Sequence, residues 1–403
     1  MAMRPFQSTI SLTEAQDIIG AVTAPLDRTE TVGLRDARGR VLARDVMAPA
    51  DVPPFARAAM DGYALRAADT ASAGRDTPVR LRRIETIYTG QMPVQTVATG
   101  LCSEVATGAP MPEGADAVVM VEETSADGDA VQVFAAATAG QNIGRQGQDI
   151  REGQTVLTAG TVLTASRVGA MAALGHTGVL VYTRPRVAIL STGNEVVEPG
   201  EPLAPGQIYD INSYTLAAVV AEHGGVPVIH RTAVDTLEDL SRAVDECLAE
   251  DVLVFSGGSS VGTRDLMLDV LRAKGEVLFH GIAVKPGKPT AFGRIDGKLA
   301  FGMPGYPTSC LTNAYVLLVP VLRRLARMPS QSIRVERMPL AARVNSTPNR
   351  HQFYTVRVEE GRAWPAFKAS GDITSMSQAD GYIEIGAETT AVEAGTLVDV
   401  KFF

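Results

Sequence analysis

The 403-residue chain carries 37 Lys and Arg against 45 Asp and Glu, for a formal charge of −8, with 45% hydrophobic and 20% charged residues. At about 100–200 residues per domain this length implies two to four domains. The apolar content excludes disorder, and the acidic balance excludes the broad basic footprint of a general nucleic-acid binder.

Aromatics make up only 5%, while glycine reaches 38 and proline 23, a balance suited to turns and backbone-shaped loops. Cys102, Cys247 and Cys310 are dispersed and odd in number, so they form no disulfide framework, and a reducing cytoplasm is the expected compartment. Five histidines without HExxH-type spacing supply no zinc motif. No apolar run reaches the roughly 18 residues of a membrane span, and the start MAMRPFQSTISLTEAQ lacks a signal-peptide core. A soluble chain with neither membrane nor nucleic-acid partners is expected.

In chain order, Ser11 and Glu14 have capping-box spacing ahead of an apolar stripe of Leu12, Ala15, Ile18, Ile19 and Val22, which predicts a helix ending before Pro25. Residues 32–46 alternate like strands. The proline-rich PADVPPF at 49–55 reads as a junction. Short runs such as VRLRRIETIY, DAVVMVEET and AVQVFAAA then alternate with turns to about residue 140, which reads as an inserted β-rich domain. Residues 141–183 return to mixed character and group with 1–48. After Pro185 the period changes. The strands RVAILSTG, VPVIHRTAV and DVLVFSGG alternate with helices, the first capped at Asn212 or Ser213, the second opened by Thr236 and Asp239, the third near Asp265. This pattern predicts βαβ units and a parallel sheet over 184–328, closed by a helix from Pro307 to Met328 kinked at Pro320. Short alternating runs over 329–403 predict a small β-barrel. The fold class is therefore multidomain α/β plus β.

Ligands on a parallel sheet bind at the carboxyl ends of its strands. Four loops of small residues fall there: STGNE (191–195), SGGSSVGTRD (256–265), KPGKP (285–289) and GMPGYPTS (302–309). In Ser256-Gly257-Gly258-Ser259-Ser260-Val261-Gly262, small side chains let backbone N–H groups face a phosphate. One glycine loop is weak evidence, but four at successive strand ends point to a phosphate-containing ligand. Lys285 and Lys288 flank Pro286-Gly287, a stiff turn able to aim both ammonium groups into one cleft. Glu195, Asp235 and Asp265 near phosphate loops call for a cation such as Mg²⁺, which takes oxygen ligands. Asp235 has helix capping beside Thr236 as an equal alternative. Cys310 reads as a small buried hydrophobe rather than a nucleophile. Two further loops, PPFARAAMDGYALR (53–66) with Asp61 and VATGAPMPEGADAVVM (105–120) with Thr107, read by themselves as turns.

Together and in order, AMDGYA, ATGAPMPEGADAVVM, STGNE, SGGSSVG, KPGKP and MPGYPTS resemble the MoeA family of molybdopterin molybdenumtransferases, which includes the E domain of gephyrin. The resemblance runs from about residue 8 to the C-terminus. It implies an elongated four-domain subunit forming a homodimer, with an adenylyltransferase-like α/β domain. It also implies a reaction in which adenylated molybdopterin is hydrolysed with a divalent metal as molybdate enters the dithiolene, releasing AMP. By motif, Asp61, Thr107 and Asp149 match positions that reach the active site from the neighbouring subunit. Glu195, Asp235 and Asp265 match the pyrophosphate and metal carboxylates, and Pro304 and Pro307 shape the loop before the last α/β helix. Lys285, Lys288 and Ser260, with Arg350 of NRHQF and Ser370 of SGDITS, resemble an oxyanion pocket. An adenylyltransferase and an apo-molybdoenzyme are the implied partners. The chain departs from the family at Arg57-Ala58, where Asn-Ser is common, and at Tyr306 within the PGNP motif. It also departs at Gln148, Asn194 and Thr263, where acids are usual. These departures keep two alternatives open: a paralogue handling tungstate or another nucleotide-linked substrate, and a non-catalytic dimeric scaffold.

Overall fold

The amino-terminal helix forms where its cap dictates. In the computed structural model, which describes residues 9–233, 236–257 and 266–403, helix α1 spans Leu12–Val22. Ser11 Oγ accepts the Glu14 amide at 3.1 Å, satisfying one of the N–H groups a helix start leaves unpaired, for about 1 kcal/mol. Its apolar stripe buries Ala15 and Ile19 in the same core as Val187, Ile189, Phe292 and Phe301. The expected grouping of residues 1–48 with 141–183 therefore does not extend to α1, whose stripe is buried in the α/β core.

The chain divides into two compact units. One takes the described residues through Thr31, Gly39–Val41 and Leu180–Phe403; the other takes Val32–Arg38 and Leu42–Val179. In the second, β1 (Gly62–Leu65), β2 (Val79–Ile87), β3 (Leu101–Val105), β4 (Ala117–Met120), β5 (Thr124–Asp127) and β6 (Ala130–Val133) form one sheet in the order β4-β1-β3-β2-β6-β5. The second unit also holds α2 (Ala165–Ala173), capped by Thr164 Oγ1 on the Arg167 amide. The strand-like alternation of 32–46 does not become a continuous strand, because a 3₁₀ turn over Leu34–Asp36 and the left-handed Gly39 interrupt it.

The α/β region runs β7 (Arg186–Thr192), α3 (Asn212–Glu222), β8 (Val226–Ala233), α4 (Leu237–Cys247), β9 (Val252–Ser256), α5 (Leu266–Lys274), β10 (Gly275–His280), β11 (Val284–Lys285), β12 (Ala291–Ile295) and β13 (Lys298–Met303). Its sheet has the order β8-β7-β9-β13-β12-β10. The first four strands are parallel, whereas β12 and β10 add antiparallel, so the expected parallel sheet is mixed. The physical reason is the two-residue Asp296-Gly297 turn, with φ of 48° and 76°. A tight turn of that kind joins only antiparallel neighbours. From β7 the chain crosses to β8 on one side, then returns to β9 on the other. The crevice above β7 and β9 is thus the topological switch point, the general ligand position in open α/β sheets.

The closing helical segment is α6 (Pro307–Asn313), a π turn over Ala314–Leu318, and α7 (Val319–Leu325). Pro320 has no N–H for the Val316 carbonyl four residues back, and Gln16 Nε2 of α1 reaches that carbonyl at 3.5 Å. At the carboxyl end, β14 (Val335–Pro339), β15 (His351–Glu359), β16 (Arg362–Pro365), β17 (Gly381–Ile385) and β18 (Leu397–Phe402) form a sheet with the path β11-β15-β17-β18-β14 and β16 on β15. β11 joins it in parallel, with Lys285 opposite Gln352. This pairing carries the lysine turn onto the C-terminal sheet. Among the described residues, no helix is long and apolar enough to cross a membrane.

Candidate functional site

The switch-point crevice is floored by a buried polar network. Ser191 and Ser256 are register partners at the ends of β7 and β9, and Met303 of β13 continues the row. Ser191 Oγ lies 2.7 Å from Ser213 Oγ, and Asp210 Oδ1 accepts the Ser213 amide at 3.0 Å. The first turn of α3 is therefore capped by Asp210, not by Asn212 or Ser213 as the sequence implied. Asn212 is left for another task. Its Nδ2 donates to Ser256 Oγ at 2.7 Å and to the Gly305 carbonyl at 2.9 Å. One buried amide thereby ties the last residue of β9 to the loop after β13.

The loops after β9 and β13 touch through bare backbone. Gly257 sits at φ +98°, where a Cβ would lie 2.3 Å from the Thr192 carbonyl oxygen, so only glycine fits. A Cβ built at Gly305 would lie 3.5 Å from the Gly257 Cα. Pro304 is buried and Pro307 opens α6, the first-turn position at which a missing N–H costs nothing. Ser256 Oγ also lies 3.9 Å from Cys310 Sγ, and burial pushes that thiol up to about 12, so Cys310 is packing rather than a nucleophile.

Two attachments hang further predicted residues on α6. At its start, Thr308 N donates to the Ser370 carbonyl at 3.2 Å and Thr308 Oγ1 to the Asp372 carbonyl at 3.0 Å, which brings the SGDITS loop to the crevice. The ring of Tyr306, 67% exposed, lies beside Gly371. At the other end, Asn313 Nδ2 donates to the Gly287 carbonyl at 2.9 Å, and a Cβ on Gly287, at φ +105°, would collide with that same amide. The KPGKP turn is thereby clamped about 7 Å of helix rise from the Ser370 attachment. Lys285 and Lys288 are both half-buried. Lys285 Nζ donates to Thr347 Oγ1 at 2.8 Å, placing it on the loop that also carries half-buried Arg350.

Glu195 is exposed, and its carboxylate folds over Gly193, with Oε2 2.7 Å from where a Cβ would stand. Asp235, Gly258, Ser260, Gly262 and Asp265 lie outside the described residues. Thr236 caps α4 by accepting the Asp239 amide at 3.1 Å. In the second unit, Asp61 Oδ1 accepts both the amide and the hydroxyl of Thr107, at 2.6 and 3.0 Å. The amide and then the hydroxyl hold the Asp61 carboxyl below its ordinary value, so it stays an ionised acceptor. Asp149 is exposed, and its amide donates to the Val52 carbonyl.

Sequence reading missed Asn212, Asn313 and Thr347. Asn212 stood where a helix cap belongs. The other two lie far in sequence from the loops they serve, and only chain crossing reveals them.

These features define a multidomain protein in which Gly257 and Gly305 meet at the switch point of an α/β sheet, with an adjoining lysine turn. The chain matches the MoeA N-terminal region (domain I and II) over residues 10–175, a probable molybdopterin binding domain over 188–324, and the MoeA C-terminal region (domain IV) over 337–403. It belongs to the MoeA family. It is 35% identical over 384 residues to molybdopterin molybdenumtransferase 2 of Mycobacterium tuberculosis, covering 93% of this chain and 95% of the relative. The Bacillus subtilis molybdopterin molybdenumtransferase is 33% identical over 387 residues, covering 92% and 89%. Among solved structures, a MoeA molybdopterin biosynthesis protein from Pyrococcus horikoshii superposes with a TM-score of 0.84 at 38% identity, covering 98% of this chain and 99% of that one.

Proposed function

We infer that the chain is a molybdopterin molybdenumtransferase that inserts molybdate into adenylated molybdopterin, with release of AMP, in molybdenum cofactor biosynthesis. One observation carries the reading: Gly257 and Gly305 approach each other backbone to backbone at the switch point, and the turn clamped by Asn313 of α6 carries Lys285, whose ammonium meets the Thr347 hydroxyl and no described carboxylate. A pyrophosphate linkage needs close backbone approach, which Gly257 and Gly305 allow. A tetrahedral dianion needs charged donors, which Lys285 and Arg350 supply. In the hydrolytic step a water oxygen bonds to one phosphorus while the bond from that phosphorus to the bridging oxygen breaks; the water's proton passes to a phosphate oxygen or to solvent, and AMP departs. Asn212 keeps the end of β9 and the loop after β13 in register through that step, and Asp61 contributes a fixed acceptor rather than a proton.

The donor chemistry fits Mg²⁺. Glu195 is an exposed hard oxygen donor with no ion pair among the described residues, and its proposed co-ligands Asp235 and Asp265 are carboxylates as well. Mg²⁺ bound there would neutralise pyrophosphate charge. Among the described residues no cluster of three metal-ligating side chains forms, as expected when two of these three stand outside them. We further propose a homodimer in which Asp61, Thr107 and Asp149 serve the site of a second copy. An adenylyltransferase upstream and an apo-molybdoenzyme downstream are the proposed partners, in the cytoplasm. The domain scheme that accompanies this reading has an inserted β-rich part over 49–140, an α/β part over 184–328 and a C-terminal β-barrel over 329–403.

The test is anaerobic incubation of purified protein with adenylated molybdopterin, molybdate and Mg²⁺, following AMP and reconstitution of an apo-molybdoenzyme. Both products appear and both require molybdate. Nucleotide binding without either product would overturn the assignment. For the shared site, Lys285→Ala and Asp61→Ala proteins, each impaired alone, regain activity when unfolded and refolded together; no recovery would refute the two-copy site.

A further inference from the structure

Thr347 belongs to no motif named above, yet it is the residue that Lys285 touches. The Lys285 ammonium is half-buried and donates 2.8 Å to Thr347 Oγ1. Among the described residues no carboxylate lies within ion-pair distance of Lys285 or of Arg350, three residues beyond Thr347. A half-buried cation with no counter-charge is costly unless an anion supplies it.

The Thr347 loop is built rather than loose. Gln352, 1% exposed, accepts the Thr347 amide at 3.2 Å and the Ser346 hydroxyl at 3.1 Å through one oxygen. Gln352 is also the register partner of Lys285 in the parallel pairing of β11 with β15. Lysine, threonine and glutamine thus form a chain in which a buried amide fixes the threonine and the threonine fixes the ammonium. The hydroxyl accepts from a cation, which polarises its own O–H and makes it the stronger donor. Among the described residues that O–H has no acceptor.

We propose that Thr347 is a further positioning and anion-binding residue: it orients the Lys285 ammonium and donates its O–H to the same tetrahedral oxyanion, with Arg350 of the same loop as the second charge. This inference rests on the molybdate reading given above. It adds a neutral hydroxyl to the seat and gives the loop over 346–350 a function.

The test compares wild type, Thr347→Val, Thr347→Ser and Lys285→Ala in molybdate-dependent AMP release, with thermal melting as the control for folding. Thr347→Val keeps the shape and removes the hydroxyl. It raises the KM for molybdate about tenfold or more, as the loss of a hydrogen bond to a charged group does, with a much smaller change in kcat and in melting temperature. Thr347→Ser restores most of the affinity. If Lys285→Ala raises the molybdate KM while Thr347→Val does not, the Thr347 assignment is wrong and the molybdate reading stands. If Thr347→Val and Thr347→Ser lose affinity equally, the residue acts through packing and the assignment again fails. If wild type shows no molybdate-dependent turnover, the underlying reading fails and takes this one with it.

Discussion

The carboxyl edge of the α/β sheet and the Asp61–Thr107 loops are both built from turn-forming residues, yet they treat charge in opposite ways. At the sheet edge neutral polar groups bond to one another, Ser191 to Ser213 and the Asn212 amide nitrogen to Ser256 and Gly305, while Asn212 Oδ1 has no partner among the described residues. The cations beyond them, Lys285 and Arg350, have no described carboxylate partner. In the second unit the charge of Asp61 is already satisfied by the Thr107 amide and hydroxyl. A cation without a partner is reserved for something that arrives, whereas a carboxylate held by two donors presents a fixed acceptor that does not titrate near neutrality. The first region leaves a cation without a described carboxylate partner, and the second holds a carboxylate already hydrogen-bonded.

The largest expected effect comes from removing the reserved charge. Lys285→Ala should lower kcat/KM for molybdate by two orders of magnitude or more, roughly the 3–5 kcal/mol attached to losing one partner of a charged, partly buried contact; steady-state AMP release reads it. A variant as active as wild type would erase the contrast between the regions. Next is Gly257→Ala, which forces a Cβ against the Thr192 carbonyl at a positive φ. It should cost about 1–3 kcal/mol of stability in denaturant unfolding and weaken AMP binding, measured by calorimetry. Asn212→Ala removes the amide shared by Ser256 and Gly305. It should cost a similar or smaller amount, about 1–3 kcal/mol, and release the two glycine loops, seen as faster hydrogen exchange at Gly257 and Gly305.

The smallest effect sharpens the other side. Asp61 has a depressed carboxyl pKa, so its contribution to the native state is complete above the ordinary carboxylate range and is lost as pH falls through the depressed value. In NMR titration, Thr107→Val should raise the Asp61 pKa only part of the way back, because the backbone amide, which exerts the larger influence, remains. A full return to the ordinary value would reverse that ranking.

Much of this was legible in the linear chain. The Ser11 cap, the strand runs at Arg186–Thr192 and Val252–Ser256, and the Thr236 cap are local events written in local residue types, and they formed where spacing placed them. The strand-end loops were equally visible, since glycine at a strand end has few other uses. Less visible was the antiparallel tail of the α/β sheet, although its Asp-Gly turn at 296–297 is a hairpin signal. The α3 start misled because Asp210, Asn212 and Ser213 are all cap-forming types, and only the fold shows which one caps.

The sequence by itself determined the α1 and α4 caps, the strand runs of the α/β region, the four small-residue loops and the family, because periodicity, capping and glycine conformations are properties of a few neighbouring residues. Only tertiary structure decided which loops meet. Asn212 reaches Gly305 across 93 positions, Thr347 reaches Lys285 across 62, and Thr308 reaches Asp372 across 64. Such contacts follow from which strands pair and where a helix lands, and those are outcomes of burying several apolar clusters at once. No short stretch of residues encodes them.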